Sequence, residues 1–204
     1  MQRRLITECG GSSSAEFALV VPLLLVLLFG VIDGGRFLWD INRAEKATQV
    51  GVRVAVVTDL VPSGLAAEDY LDQTIDGVTL TQGDVIPAGA LGDIQCSRTA
   101  CNCISGLCPD DVGTLDTATF DNVFLPRIKA MYPAVQASNV VLHYTGSGLG
   151  YAGDPHGSQI SPVVTVRLTG LQFQPITSLL FLTLDLPDFR TSLTAEDLSG
   201  SASN

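Results

Sequence analysis

Basic side chains are scarce in this chain. Its 11 lysines and arginines stand against 21 aspartates and glutamates, a formal charge of −10. Nucleic-acid phosphates need cationic clusters, so a nucleic-acid partner is excluded. The acidic residues lie mainly beyond residue 58 and make a soluble, self-repelling surface. Histidine is scarcer still, at two residues. His143 lies in a β-branched run, and His156 stands in Asp154-Pro155-His156-Gly157, which reads as a solvated turn. Neither has a nucleophile motif beside it, so no hydrolytic triad is expected. Gly146-Ser147-Gly148-Leu149-Gly150 has the glycines of a phosphate loop but no helix-forming segment after it, and reads as a flexible loop. Catalytic residues, cofactors and a resident metal are therefore not expected, and the chain reads as non-enzymatic. An Ala-x-Ala site is also missing after the first apolar run, which argues against signal-peptide cleavage there.

What is present begins with that run. Ser12-Ser13-Ser14-Ala15-Glu16 leads into 16 apolar residues, Phe17 to Ile32, with only Arg3 and Arg4 basic upstream. A span needs about 20 residues. Counting Ala15, and placing Asp33 to Trp39 at the far interface, repairs most of the shortfall; Arg36 and Trp39 suit that position. Arg3 and Arg4 keep the amino end cytoplasmic and send the rest across. The helical pattern continues past Trp39, with Ile41, Ala44, Ala47 or Thr48, Gly51, Val52 and Ala55 on one face. A helix from about Ser14 to Thr58 would be about 65 Å long, with Pro22 removing one backbone hydrogen bond inside it. Gly30, Gly34, Ala44, Ala47, Gly51 and Ala55 form a narrow small-residue stripe, the kind that lets helix backbones approach closely. Glu16 is a carboxylate at the mouth of the membrane segment, where an unpaired charge is costly.

These residues carry a resemblance. Gly11-Ser12-Ser13-Ser14-Ala15-Glu16-Phe17 resembles a type IV prepilin processing site, with Gly11 five residues before Glu16. The stretch Ala15 to Leu25, then Phe29-Gly30-Val31-Ile32-Asp33-Gly34-Gly35-Arg36 and Ala47-Thr48-Gln49-Val50-Gly51-Val52-Arg53, resembles the TadE-like pseudopilins of the tight-adherence (Tad, Flp-type) pilus system. Val163-Val164-Thr165-Val166 and Phe173-Gln174-Pro175-Ile176 resemble a strand and turn late in the same family. Asp33-Gly34-Gly35-Arg36 departs from it, since Glu and a single Gly before Arg are more usual there. The resemblance implies a minor pilin-like subunit needed to assemble a Tad pilus and cut after Gly11 by prepilin peptidase. Ser12 would then be the new amino terminus and Glu16 the fifth residue. Removing residues 1–11, with Arg3, Arg4 and Glu8, would take the charge from −10 to about −11. The ammonium of Ser12 could pair with a Glu16 carboxylate in the same or an adjacent subunit. Implied partners are prepilin peptidase, other pilins and pseudopilins, Tad assembly proteins and inner-membrane lipid. The alternative is a bitopic scaffold of the secretion machinery that never enters a fibre.

The expected organisation is a leader, 1–11, and an N-terminal helix, 12–58, with its membrane part at about 15–38. A periplasmic α+β domain, 59–190, and a polar tail, 191–204, would follow. In the domain, Leu65 to Asp76 offers a short helix, and Asp76 to Asp93 is more turn than strand. Phe120 to Tyr132 has helical spacing and stops before Pro133. Val140 to Tyr144 and Val163 to Leu168 read as strands that pair antiparallel. Cys96, Cys101, Cys103 and Cys108 form C-x4-C-x-C-x4-C. In an oxidising periplasm they read as two disulfides, with three pairings formally possible. The pairing that joins Cys101 to Cys103 is discounted as strained. A zinc site of four thiolates is the rival, but its usual spacing is C-x2-C. Cys9 stands apart, in the leader or the reducing cytoplasm.

Overall fold

The computed structural model describes residues 10–109, 112–113, 115–155, 158–177, 183–195 and 198, with side chains from residue 14 onward. Contacts divide the chain into two units, Met1–Asp40 with Gln172–Leu184, and Ile41–Leu171 with Asp185–Asn204. Helix α1 (Gly10–Ala55) supplies residues to both. Its 46 residues run unbroken through Pro22, about 70 Å at 1.5 Å per residue. It starts four residues earlier and stops three earlier than the apolar pattern suggested. Beyond its end, the Thr58 hydroxyl donates to the Val54 carbonyl at 2.9 Å, which occupies one of the terminal carbonyls a helix leaves open.

The second unit is built on an antiparallel sheet. Its strands are β3 (Asp93–Cys96), β4 (Cys101–Ser105), β5 (Val140–Thr145), β6 (Val163–Leu168) and β9 (Phe189–Thr194), in the order β4-β3-β5-β6-β9. Short ribbons join β1 (Thr74–Ile75) to β2 (Val78–Thr79) and β7 (Gln172–Phe173) to β8 (Leu184–Asp185). The pairing of β5 with β6 runs from Val140 opposite Leu168 to Thr145 opposite Val163. Alternation places Leu142, Tyr144, Val164, Val166 and Leu168 on the inner face, all fully buried, with Val141, His143, Thr165 and Arg167 on the other. Burying side chains of this size stabilises the fold by about 1.5–3 kcal/mol each. Over the same core lie α3 (Thr117–Thr119), a π-helical turn (Phe120–Phe124) and α4 (Leu125–Met131), which bury Phe120, Phe124 and Ile128. Asp116 caps this run, accepting from the amides of Ala118 and Thr119 at 3.0 and 3.1 Å. With one long apolar helix and this sheet, the chain is mixed α+β.

Several elements differ from the sequence expectation. The helix expected over Leu65 to Asp76 is only α2 (Ser63–Ala67). Asp69 then accepts from the Leu71 amide at 2.9 Å, and Asp72 adopts φ 61°, so the chain turns instead of continuing the helix. Asp76 and Gly77, with φ of 53° and 81°, close the β1–β2 ribbon; positive φ at both central positions matches the twist of a two-residue hairpin. The cysteine segment, which carries no strand signal in its sequence, forms the hairpin β3–β4. The polar tail expected from Thr191 begins later, because Thr191 to Thr194 belong to edge strand β9 and pair with β6. The glycine-rich loop, expected to be flexible, is packed. A Cβ on Gly146 would lie 2.0 Å from the Ala88 carbonyl oxygen, and one on Gly150 would lie 2.2 Å from that of Gln159. Those glycines serve close backbone approach, not a phosphate cradle.

Candidate functional site

Helix α1 has two surfaces with opposite fates. From Ser14 to Ile32 every side chain except the half-buried Val21 is exposed, including Phe17, Leu19, Leu23, Leu27 and Val31. A continuous exposed apolar surface of this length is what a membrane-spanning helix presents to lipid. One long apolar helix near the amino terminus thus fits a single-pass membrane anchor. Gly11 and Ser12 lie in the first turns of α1; their side chains fall outside the described ones. Glu16 is exposed, and no other described side chain hydrogen-bonds to it or pairs with it. Gly30 and Gly34 are open, since a Cβ on either would meet nothing within 4 Å.

The rest of the small-residue stripe is occupied by the chain itself. Ala44, Ala47, Gly51 and Ala55 are buried, together with Thr48 and Val52. A Cβ on Gly51 would lie 3.1 Å from Ile128 Cγ1 and Cδ1 and 3.3 Å from Val166 Cγ1. Arg43 Nε donates to the Met131 carbonyl at 3.0 Å, and its guanidinium lies 5.6 Å from the centre of the Tyr132 ring. Thr48 Oγ1 meets Thr191 Oγ1 at 2.8 Å. This half of α1 is therefore a core element of the sheet unit, and the open small residues are Gly30 and Gly34.

Between these regions, inside the first unit, lies an arrangement that sequence reasoning did not find. Asp33 is 7% exposed although it directly follows the apolar run. Its Oδ1 accepts from the Ile176 amide at 2.7 Å. Its Oδ2 accepts from the Thr177 amide at 2.9 Å and the Thr177 hydroxyl at 2.7 Å. Arg36 Nη1 donates to Asp33 Oδ1 at 3.2 Å and to the Gln174 carbonyl at 3.4 Å. The Arg36 guanidinium also stands 5.4 Å from the centre of the Phe173 ring, and Phe37 meets that ring edge-on at 5.4 Å and 77°. Residues 33, 36 and 37 share one face by helical periodicity, so three successive contacts hold one returning segment. The available signal was the pair of motifs, Asp33-Gly34-Gly35-Arg36 and Phe173-Gln174-Pro175-Ile176, which stand 140 residues apart from Asp33 to Phe173.

The cysteines form Cys96–Cys101 and Cys103–Cys108. Cys96 and Cys101 sit opposite each other on β3 and β4, so the first bond cross-links the hairpin near its turn. The second ties β4 to the chain beyond it. All four thiols are thereby used, which overturns the zinc rival. Cys9 and His156 lie outside the described residues. His143 Nδ1 meets Asp93 Oδ1 at 3.0 Å on the outer face of the sheet. Among the described residues no group of three or more His, Cys, Asp or Glu is placed to hold a metal ion.

Neither a curated protein nor a solved structure matches the chain. One family model does match, over residues 11–53, which is nearly all of α1. It includes the glycine and glutamate of the processing-like sequence, the exposed apolar surface, Asp33 with Arg36, and most of the domain-packed face. Over that stretch, its first helix, the chain is similar to the TadE-like family, which suggests a protein related to the Tad pilus.

Proposed function

We propose that this protein is a minor pilin-like subunit, a pseudopilin, of a Tad/Flp-type pilus, matured by prepilin peptidase between Gly11 and Ser12. The observation that carries the reading is Glu16: an exposed carboxylate five residues after Gly11, at the mouth of an exposed apolar helix that matches the TadE-like model. Cleavage there leaves the helix in the mature protein and creates an ammonium at Ser12. Each charge alone is costly at the edge of lipid. Together they attract more strongly as the dielectric falls, so a Glu16 carboxylate is a docking point for the amino terminus of a neighbouring subunit.

The exposed stretch of α1, with open Gly30 and Gly34, is the surface available for lateral helix packing in such an assembly. Ala44, Ala47, Gly51 and Ala55 already serve the chain's own core. On this reading the leader is cytoplasmic, the helix spans the inner membrane, and the disulfide-bonded sheet unit lies in the periplasm, where thiols oxidise. The role is structural: the sheet unit primes, caps or regulates a fibre built mainly of smaller pilins. Prepilin peptidase and the other pilus assembly proteins are then its partners. The test is Glu16→Gln, which should abolish or strongly reduce pilus assembly while leaving cleavage and membrane insertion intact. Normal piliation by that variant would overturn the pairing of Glu16 with an amino terminus.

A further inference from the structure

The apolar run Phe17 to Ile32 has 16 residues, about 24 Å of helix at 1.5 Å per residue. A hydrocarbon core is about 30 Å thick. The difference is about 6 Å, or four more residues, and carries the span from Ile32 to Arg36. Asp33 and Arg36 therefore fall in the last turn of the span, where a charge is costly unless it is paired and hydrogen-bonded. The structure answers that cost within one unit. Asp33 accepts from the Ile176 amide, the Thr177 amide, the Thr177 hydroxyl and Arg36, while Arg36 also caps the Gln174 carbonyl and faces the Phe173 ring.

The same contacts satisfy backbone amides of the returning segment, as any chain at that depth requires. The apolar groups around them suit lipid. Phe173 is buried on Phe37, while Ile176 is 49% exposed and Ile32 41%. Trp39, 64% exposed, stands one turn further out, where an aromatic anchor belongs. The sequence after Thr177 continues Ser178-Leu179-Leu180-Phe181-Leu182.

We infer that residues 173–177, clamped on Asp33, Arg36 and Phe37, make a second contact with the membrane: a collar seated in the outer interfacial layer with Ile176 facing lipid. The chain would then touch the bilayer twice, through the spanning helix and through a segment some 140 residues later in the sequence. The collar completes a span that the apolar run alone leaves short. This inference rests on the membrane-anchor reading of α1 and not on incorporation into a pilus.

Depth-dependent fluorescence quenching tests it. The full chain, with Trp39→Phe to remove the native fluorophore, is reconstituted into phosphatidylcholine–phosphatidylglycerol vesicles with brominated acyl chains. Ile176→Trp reports the collar, and Val26→Trp reports the span. Quenching at both positions, shallower for 176, is the expected result. Quenching at 26 with water-like, unquenched emission at 176 would overturn the collar while leaving the anchor standing. No quenching at either position would overturn the anchor and the collar with it. Adding Asp33→Leu should abolish quenching at 176 and leave it at 26. Quenching retained at both would show that Asp33 does not hold the segment.

Discussion

Gly51 and Gly34 belong to one small-residue stripe in the sequence and should respond oppositely to the same change. Gly51 sits in a helix interior, where glycine costs about 1 kcal/mol relative to alanine, so its presence needs a packing reason. That reason is the distance from its Cβ position to Ile128, 3.1 Å, and to Val166, 3.3 Å, both fully buried neighbours. For Gly51→Ala, the propensity gain of about 1 kcal/mol opposes the work of moving the flexible tip of Ile128 by a few tenths of an ångström, and the net change should stay within about 1 kcal/mol. For Gly51→Leu, three further carbons enter a filled core, and overpacking of about 1–3 kcal/mol dominates. At roughly 2–4 °C per kcal/mol for a unit of this size, the midpoint should fall by about 2–12 °C. A Cβ at Gly34 meets nothing within 4 Å, and Gly34 lies outside the sheet unit, so in Gly34→Leu that unit should melt as in the parent. The assay is thermal unfolding of the full chain in detergent, followed by near-ultraviolet circular dichroism. Equal stability of Gly51→Leu and the parent, or an equal loss in Gly34→Leu, would refute the division of the stripe between own core and open surface.

Other expectations follow from the same contacts. Each disulfide closes a six-residue loop, for which the chain-entropy argument gives about 2 kcal/mol. Replacing Cys96 and Cys101 together should cost more than replacing Cys103 and Cys108, because Cys96 is also fully buried; denaturant titration of the two double variants compares them directly. Acid should destabilise the sheet unit. Asp116 is held below the usual carboxylate range by the Thr119 hydroxyl and amide, Asp84 by Thr81, Asp69 by the Leu71 amide, and Asp121 by Arg98. Folded-state values below unfolded ones mean the stabilisation is present above about pH 4 and lost as pH falls through the folded values. Tyr70 and Tyr144 are pushed up by burial. Their unfolded forms lose protons first, so stability should also fall as pH rises beyond about 10. Unfolding measured from pH 2 to 11 should therefore show a plateau with two declining limbs, and an acid limb starting near pH 6 would contradict the carboxylate assignment. Sheared cells separate fibre subunit from scaffold: the mature form should leave with the pili, and complete retention in the membrane would favour the scaffold.

What could be read from sequence was what local pattern encodes. The apolar run and the three-to-four spacing through Ala55 mark α1 because one periodicity persists over many turns. Val140 to Tyr144 and Val163 to Leu168 show as strands because β-branched runs end at turn residues. The elements that escaped have weak local signals. Phe189-Arg190-Thr191-Ser192-Leu193-Thr194 is largely polar because an edge strand needs little apolar surface, and β3–β4 is hidden by cysteines whose bonds do the ordering. The clamp on Asp33 was illegible for another reason. A lone aspartate after an apolar run reads as an interfacial residue, and its partners lie 143 and 144 positions away in backbone amides that carry no sequence signature. The stripe shows the converse limit. Spacing placed Gly30, Gly34, Ala44, Ala47, Gly51 and Ala55 on one track, but only tertiary contact reveals which of them the chain already uses.

The most direct test of the central claim is the amino-terminal sequence and intact mass of the membrane-extracted protein, with and without co-expressed prepilin peptidase. Peptidase-dependent loss of residues 1–11, leaving Ser12 first and Glu16 fifth, is the expected result. An unchanged amino terminus in both samples would contradict maturation as a pilin and leave a membrane anchor, similar to the TadE-like family over residues 11–53, carrying a disulfide-bonded α+β unit.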